Sequence, residues 1–565
     1  MEKRWVFKSY DEKIAQNLQE QLKISPIICR LLAQRGVSTY DEAKAFFRPD
    51  MTQLHDPFLM KDMDKAIARI ERAMQDKEKI LIYGDYDVDG TTSVALAFSF
   101  FKKIYYEIDY YIPDRYSEGY GVSIQGVDYA KEHGITLIIA LDCGIKSKEK
   151  IDYATTLGID FIICDHHLPP KEIPTAAAVL DPKRKDCTYP FKELSGCGIG
   201  FKLLQAFSRK NNLPEEELNA YLDLVAVSIA SDIVPIVDEN RVLAYYGLQT
   251  LNRNPRKGFK ALIDASNMKR DLTISDIVFV LGPRINAAGR IDDARHAVKL
   301  LISETVEIAN DRAEILNKKN EQRREFDFAI TEEALGMLDT DEYKSKKYTV
   351  LYQPHWNKGV IGIVASRLIE KYYRPTIVFT ESNGMAVGSA RSVPGFDLYK
   401  AISQCSDLLD QFGGHMFAAG LSLKKENMPE FINRFEKVVN ETIDIKLLIP
   451  EIEIDAELEP DDISPKLFGL IKQFAPFGPG NMKPVFLTKF LKDTGGTRIV
   501  KEEHLKVMVS KNGSRQLRGI AFGKAEFYEH VTTTRALDMC YTLEENEWNG
   551  NISIEMNVRD IKESV

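Results

Sequence analysis

Between Lys79 and Gly90 the chain reads KILIYGDYDVDG, an apolar run that empties into aspartates at alternate positions, Asp85, Asp87 and Asp89. Ile80, Leu81 and Ile82 form the short uninterrupted apolar stretch expected of a strand buried on both faces of a covered parallel sheet. Three carboxylates in one small loop repel one another, and folding such a loop is costly unless cations or hydrogen-bond donors offset the charge. A hard divalent cation is the simplest offset. Thr91, Thr92 and Ser93 then offer hydroxyls at the start of a helix expected over 94–106. Asp-x-Asp-x-Asp-Gly also opens an EF-hand loop, which needs Glu at its twelfth position. Here that position is Leu96 and the preceding element is a strand, so the calcium-hand reading is set aside. On this motif alone an ordinary solvated turn stays nearly level with a metal site.

At 565 residues the chain exceeds what one core can organise and implies three or four domains. Hydrophobic content of 44% and charged content of 28% are those of a soluble globular protein. The opening MEKRWVFKSYDEK lacks the apolar core of a signal peptide, and no apolar run approaches membrane-spanning length. Seven cysteines without a Cys-x-x-Cys pair argue for a reducing cytoplasm and against structural zinc; Cys143 and Cys164 read as small buried residues. A net charge of −9 gives a nucleic-acid partner no support by itself, although only the local field along a groove matters.

Residues 1–75 read as a helical cap. From Lys79 the pattern alternates strands, near 79–85, 108–113, 135–142, 160–164 and 177–180, with helices, which calls for an α/β domain over 76–302 built on a parallel sheet. Ligands of such sheets bind beyond the carboxyl ends of the strands. Those ends carry Asp85/Asp87/Asp89, Pro113-Asp114-Arg115, Asp142-Cys143-Gly144, Asp165-His166-His167 and Asp181. Taken singly, Asp142 is as well read as a helix cap, and the two histidines as loop imidazoles. Asp165 is placed to orient an imidazole. Asp232, at the end of YLDLVAVSIASDIVP, is equally a stop signal or a carboxylate aimed into the site. Jointly, carboxylates with imidazole suit Mn²⁺ or Mg²⁺ better than zinc. About five carboxylates fit two ions roughly 3.5–4 Å apart, a site that polarises a phosphoryl oxygen, acidifies water and stabilises the leaving oxygen. Phosphoester hydrolysis is the chemistry indicated.

GDYDVDG, LDCG, CDHH and SIASDIVP, in that order, resemble the motif set of the DHH phosphoesterase superfamily, and GPRINAAGR, GSARS and GGHMFAAG resemble its RecJ branch, whose members are single-strand-specific 5′-to-3′ DNA exonucleases. The resemblance runs from about residue 70 to the carboxyl terminus. It implies metal ligands at Asp87, Asp89, Asp142, His166 and Asp232, with Asp85 and His167 close by and His167 among the catalytic residues. It implies two divalent cations, Mn²⁺ preferred or Mg²⁺. Some superfamily members place a ligating His where this chain has Tyr83, so coordination on that side falls to Asp85, water or substrate.

Arg284, Asn286 and Arg290, read as a loop, and Arg115, after a strand, are candidate phosphate contacts, Arg115 toward the 5′ end. Residues 303–345 read as a long, largely exposed connecting helix with no catalytic role. A second α/β unit over 346–445 resembles the DHHA1 domain. The resemblance implies that Ser389 and Arg391 grip phosphate, that Gly413 and Gly414 let backbone N–H groups approach it, and that His415 donates to it. Residues 450–565 read as β-rich, with alternation at Leu505/Val507/Val509 and Ile552/Ile554/Met556/Val558 and turns at Asn512-Gly513 and Asn549-Gly550, which suggests an OB-type barrel. Lys506, Lys511, Arg515 and Arg518 offer a basic track for single-stranded DNA, with Phe522 available to stack bases.

The expectation is a monomeric, cytoplasmic, metal-dependent exonuclease of DNA recombination and repair, partnered by a single-strand-binding protein and a helicase. The rivals are a small-substrate DHH phosphoesterase, acting on oligoribonucleotides, cyclic dinucleotides or nucleotide phosphates, and a replication scaffold that has lost catalysis. Such scaffolds lose metal ligands, whereas every motif acid and the DHH histidine stand in this chain.

Overall fold

The computed structural model describes residues 2–548 and 550–564. The chain divides into two compact units: Trp5–Gly282 with Ala297–Asn310 and Ile452–Val565, and Pro283–His296 with Asp311–Glu451 and Met1–Arg4. Among the described residues no helix is long and apolar enough to cross a membrane. All seven cysteines are buried and unbonded to one another.

The first unit holds a five-stranded sheet of β1 (Lys79–Gly84), β2 (Ile108–Tyr111), β3 (Ile135–Leu141), β4 (Asp160–Cys164) and β5 (Ala178–Leu180), in the order β2-β1-β3-β4-β5. Every pairing is parallel. Alternate residues of the strands serve opposite faces. Leu81, Tyr83, Ile138, Ala140, Phe161 and Ile163 pack with α2 (Ile124–Glu132) and α3 (Lys148–Thr156). The opposite face is covered by α1 (Val88–Phe101) and α4 (Gly196–Lys210), with α5 (Leu222–Ser231) packed against α1. Both α1 and α5 are apolar nearly all round, as helices with no wet face must be.

Helix α1 starts six residues before the position expected from Thr91–Ser93. Asp87 caps it, accepting from the Gly90 N–H at 3.0 Å, and the hydroxyls of Thr91 and Thr92 turn back to carbonyls of Asp87 and Val88. Asp89 therefore sits in the first helical turn, which tolerates a carboxylate well. The expected loop at 282–286 is also helical: α6 spans Gly282–Ile291 and continues directly from a π-helical turn over Ile277–Leu281, where the Gly282 N–H donates to the Ile277 carbonyl.

The amino-terminal cap is not purely helical, since Arg4–Phe7 is a strand and the Lys8 N–H donates to the Ile454 carbonyl at 2.9 Å. Its helices pack on the far end of the sequence. Leu18, Ile28 and Leu31 share one core with Phe474, Val507 and Leu537. That core belongs to a barrel of β11 (Phe486–Asp493), β12 (His504–Ser510), β13 (Leu517–Ala521), β14 (Leu537–Trp548) and β15 (Asn551–Glu563), ordered β11-β14-β15-β13-β12 and closed by a β11–β12 pairing. Leu505, Val507 and Val509 face inward, as their alternation requires, and Asn512 and Gly513 both have positive φ in the turn that follows β12. Asn549, expected in the last hairpin turn, lies outside the described residues.

Helix α7 (Val306–Leu338) begins in the first unit and from Asp311 belongs to the second, where it leads into β6 (Thr349–Tyr352), α8 (Ile361–Tyr372), β7 (Thr376–Ser382), β8 (Met385–Arg391), β9 (Gln411–His415) and β10 (Ala418–Leu423), a mixed sheet ordered β9-β10-β8-β7-β6. A short helix over Leu398–Ser403 precedes β9, the strand that carries Gly413, Gly414 and His415.

A fully buried ion pair ties the cap to the helices of the parallel-sheet domain. Lys202 Nζ donates to Glu239 at 2.9 Å and to the His55 carbonyl at 2.6 Å, while Tyr189 donates to the other Glu239 oxygen. Removing one partner strands a buried charge. Lys202→Met is expected to lower unfolding free energy by about 3–5 kcal/mol in denaturant titration. Adding Glu239→Gln should recover part of that loss.

Candidate metal centre and phosphate-binding face

Four elements of the first unit meet at the carboxyl ends of β1, β3 and β4. Asp89 is held by three donors: its oxygens accept from the Gly196 N–H at 2.7 Å, the Cys197 N–H at 2.8 Å and the Ser228 hydroxyl at 2.7 Å. The amino terminus of α4 thus points its free N–H groups and its dipole at this carboxylate. Gly196 has to lack a side chain, because a Cβ there would lie 2.6 Å from the Asp142 Cβ. Asp142 itself takes a left-handed backbone, φ 60°, and does not cap the following helix, whose cap position is Ser147. Asp232 closes α5 as its carboxyl-terminal cap residue.

His166 stands among these acids. Its Nε2 is 3.2 Å from Asp142, 3.5 Å from Asp232 and 3.7 Å from Asp89, yet both of its ring nitrogens are buried with no hydrogen-bond partner. Ligand atoms of Asp142, His166 and His167 lie within 4.8 Å of one another, as do those of Asp89, His166 and Asp232, so His166 belongs to both groups. Asp85 accepts from the Gly121 N–H at 3.1 Å, and its other oxygen is buried without a partner. Tyr83 turns away from this centre: its hydroxyl donates to the Gly121 carbonyl and accepts from the Ser123 N–H, fastening the loop whose Gly121 N–H reaches Asp85.

Burial, followed by the negative charge of neighbouring acids, pushes the Asp85, Asp142 and Asp232 carboxyls far above the usual range and raises Asp87 as well. Burial also pushes the His166 imidazole down, toward its neutral form. A neutral imidazole with orphaned nitrogens beside Asp142 and Asp232, which resist ionising, is a donor set awaiting positive charge, and divalent cations fit it. His167 is set differently. Burial opposes its protonation, but Asp165, 2.7 Å from its Nδ1, raises it, and the far nitrogen meets the Tyr120 hydroxyl at 3.0 Å. Asp165 is held well below the carboxylate range despite its burial, by His167 and by backbone N–H groups of Ile145, His166 and His167. Asp181, behind the pair, is pushed up to about 7 by burial.

Gly196, Cys197, Ser228 and Tyr120 were not singled out from the sequence. The signal for the first two was present in SGCGIG, a glycine-rich helix start of the kind that accepts anions. Arg115 stays near the centre, its guanidinium 5.0 Å over the Tyr86 ring.

In the second unit the candidate phosphate contacts gather by register. Ala418 of β10 pairs with His415 on one side and Arg391 on the other, and Gly420 pairs likewise with Gly413 and Ser389. Ser389, Arg391, Gly413 and His415 therefore share one face, with a glycine floor between them. Gly414, one residue out of phase, adopts φ 148°. Arg391 donates to Ser389 at 3.0 Å and packs against Gly362 at the start of α8. Arg290 donates to the Gly359 carbonyl at 2.9 Å, just before that helix. Arg284 donates to Asn317 at 3.0 Å, and Asn286 is half-buried on α6. In the barrel, Lys511 is engaged by Glu459 at 2.6 Å and Arg515 by the Ile463 carbonyl, while Phe522 stays 55% exposed beside His504.

The elevated carboxyls set a pH dependence. A group whose folded pKa exceeds its unfolded value adds stability at low pH and loses it as pH rises. Asp85, Asp142, Asp232, Asp181 and His167 all have this sign. His166 has the opposite sign, but its contribution is complete above about pH 6.5. In EDTA the melting temperature should fall between about pH 6.5 and 8.5, and added Mn²⁺ should raise it by an increment that grows with pH. A flat profile in EDTA would contradict this electrostatic picture.

Residues 79–229 match the DHH family, N-terminal domain, residues 345–441 the DHHA1 domain, and residues 454–560 the RecJ OB domain. The single-stranded-DNA-specific exonuclease RecJ of Bacillus subtilis is 38% identical over 562 residues, covering 99% of this chain and 70% of that protein. Its namesake from Salmonella typhimurium is 35% identical, covering 95% of this chain and 96% of that protein. The crystal structure of RecJ in complex with Mn²⁺ from Thermus thermophilus superposes with a TM-score of 0.86 at 26% identity, covering 100% of this chain and 80% of that one.

Proposed function

The chain belongs to the RecJ family, and from that membership and the geometry of its acid–imidazole centre we propose that it hydrolyses the phosphodiester bonds of single-stranded DNA stepwise from the 5′ end, in DNA recombination and repair. The observation that carries the reading is His166 Nε2, orphaned and buried within 3.7 Å of three carboxylates, those of Asp89 in α1, Asp142 just beyond β3 and Asp232 at the end of α5. Asp87, Asp89, Asp142, His166 and Asp232 would hold two divalent cations, Mn²⁺ in preference to Mg²⁺, with Asp85 at the edge of the site. Bound there, the cations supply Lewis acidity toward a phosphoryl group and lower the pKa of water.

The protein's own groups have separable tasks. The α4 amino terminus and Ser228 fix the direction of the Asp89 carboxylate. His167, charged through Asp165, is the group able to give a proton to the departing 3′ oxygen, and Tyr120 sets the ring's plane. Arg115 is placed to meet a 5′ phosphate. Ser389, Arg391, Gly413, Gly414 and His415 offer side-chain and backbone donors to the strand's phosphates, as do Arg284, Asn286 and Arg290. A cytoplasmic monomer, supplied with strand by a helicase and a single-strand-binding protein, completes the reading.

The small-substrate alternative cannot be tested by deleting residues 450–565. Deletion would strip Leu18, Ile28 and Leu31 of their core partners and report on stability instead. Incubation of 5′- and 3′-labelled DNA and RNA strands with Mn²⁺ is the cleaner test. Stepwise loss from the 5′ end of DNA is expected, with Asp142→Ala lowering the rate at least about a thousandfold. Full activity in Asp142→Ala would overturn the assignment.

A further inference from the structure

Helix α7 carries more than the solvated charged face that its composition suggests. Its inward positions alternate at intervals of four and three: Leu316, Asn320, Arg323, Asp327, Ile330 and Ala334. The middle of that stripe is polar. Asn320 and Asp327 are 4% and 1% exposed, and Asp327 takes a two-pronged ion pair from Arg367 of α8 at 2.9 and 2.8 Å. Arg323 lies 3.7 Å from the same carboxylate and donates to Asn320, yet its Nε is buried with no hydrogen-bond partner.

On the adjoining outer side, Asn317 holds the Arg284 guanidinium of α6. Arg324, exposed, adds its charge to both Arg284 and Arg323. Four guanidiniums, those of Arg284, Arg323, Arg324 and Arg367, thus face the carboxylates of Asp327 and Glu321. Burial first, and then this mutual repulsion, pushes the Arg284 and Arg323 guanidiniums below their ordinary range. Asp327 is engaged by Arg367, while Arg324 is exposed on α7, as are its neighbours Glu321 and Glu325. Phe328 follows Arg324 by four residues, on the same helix face and about 6 Å further along the axis, and is 70% exposed. A cation and a bare aromatic one helical turn apart are the two elements with which proteins hold single strands without reading sequence.

We propose that Arg324 and Phe328 of α7, with Arg284 beside them, form a single-strand-binding track, Arg284 and Arg324 meeting consecutive backbone phosphates and Phe328 stacking a base. This inference rests on the nuclease reading and adds substrate-positioning residues on an element to which the sequence assigned none.

The test uses the full chain carrying Arg324→Gln, Arg324→Lys or Phe328→Ala. Steady-state hydrolysis of a 5′-labelled strand is followed across about 50–200 mM salt. Arg324→Gln should raise KM several-fold and flatten the slope of log KM against log salt by roughly 0.7, the value of one lost single-strand phosphate contact. Arg324→Lys should restore the slope. Phe328→Ala should raise KM about tenfold with the salt slope kept, since stacking releases no counterions. Both side chains are exposed, so melting temperatures should match the parent. Fluorescence anisotropy with a fluorescein-labelled single strand, in the Asp142→Ala background, reads the same losses without turnover. Strand binding that depends on Arg324 and Phe328 in a protein without nuclease activity would sink the functional reading and leave this one standing. Parental KM, affinity and salt slope in both Arg324→Gln and Phe328→Ala would overturn it.

Discussion

The architecture of the first unit turns on repulsion between carboxylates that the topology brings together and water cannot screen. Asp85, Asp89 and Asp142 are each 2% exposed or less, and at that depth two like charges a few ångströms apart repel strongly. The chain meets part of this with its own dipoles. Two N–H groups of α4 and one hydroxyl satisfy Asp89, and the Gly121 N–H satisfies half of Asp85. It leaves the remainder unmet, in the orphaned Asp85 oxygen and in both nitrogens of His166. A fold that could have quenched these groups with one lysine and has not is poised for external cations.

The two units differ in the sign of their electrostatics. The first unit concentrates acid at the ends of a parallel sheet. The second concentrates donors on one face of a mixed sheet, where Arg391 and His415 flank Ala418 in register, and along α6 and α7. The net charge of −9 averages over both and describes neither.

Much of this was legible because parallel sheets impose a rule: strand order can vary, but the carboxyl ends always share a rim. Asp87, Asp89, Asp142 and His166 could be placed there from apolar runs alone, and the barrel could be read from its period-two strands. What escaped the sequence was local or long-range. Helix α1 began early because Asp87 outcompeted three hydroxyls as a cap, and α6 formed where Gly-Pro suggested a loop because a π-helical turn over Ile277–Leu281 carries the helix into the proline. Strand β9 was hidden by its glycines, which carry no β signal yet pair with β10 in full register. The shared core of the amino-terminal helices and the barrel joins residues more than 400 positions apart, a contact no local pattern encodes. In α7 the buried polar stripe was read as solvated charge, since composition cannot tell a paired Asp327 from a wet one.

Anomalous diffraction at the manganese edge, from crystals grown with Mn²⁺, tests the central claim most directly. Two peaks bounded by Asp87, Asp89, Asp142, His166 and Asp232 are the expected result. A map with no manganese among those side chains, at ion concentrations that support turnover, would contradict it.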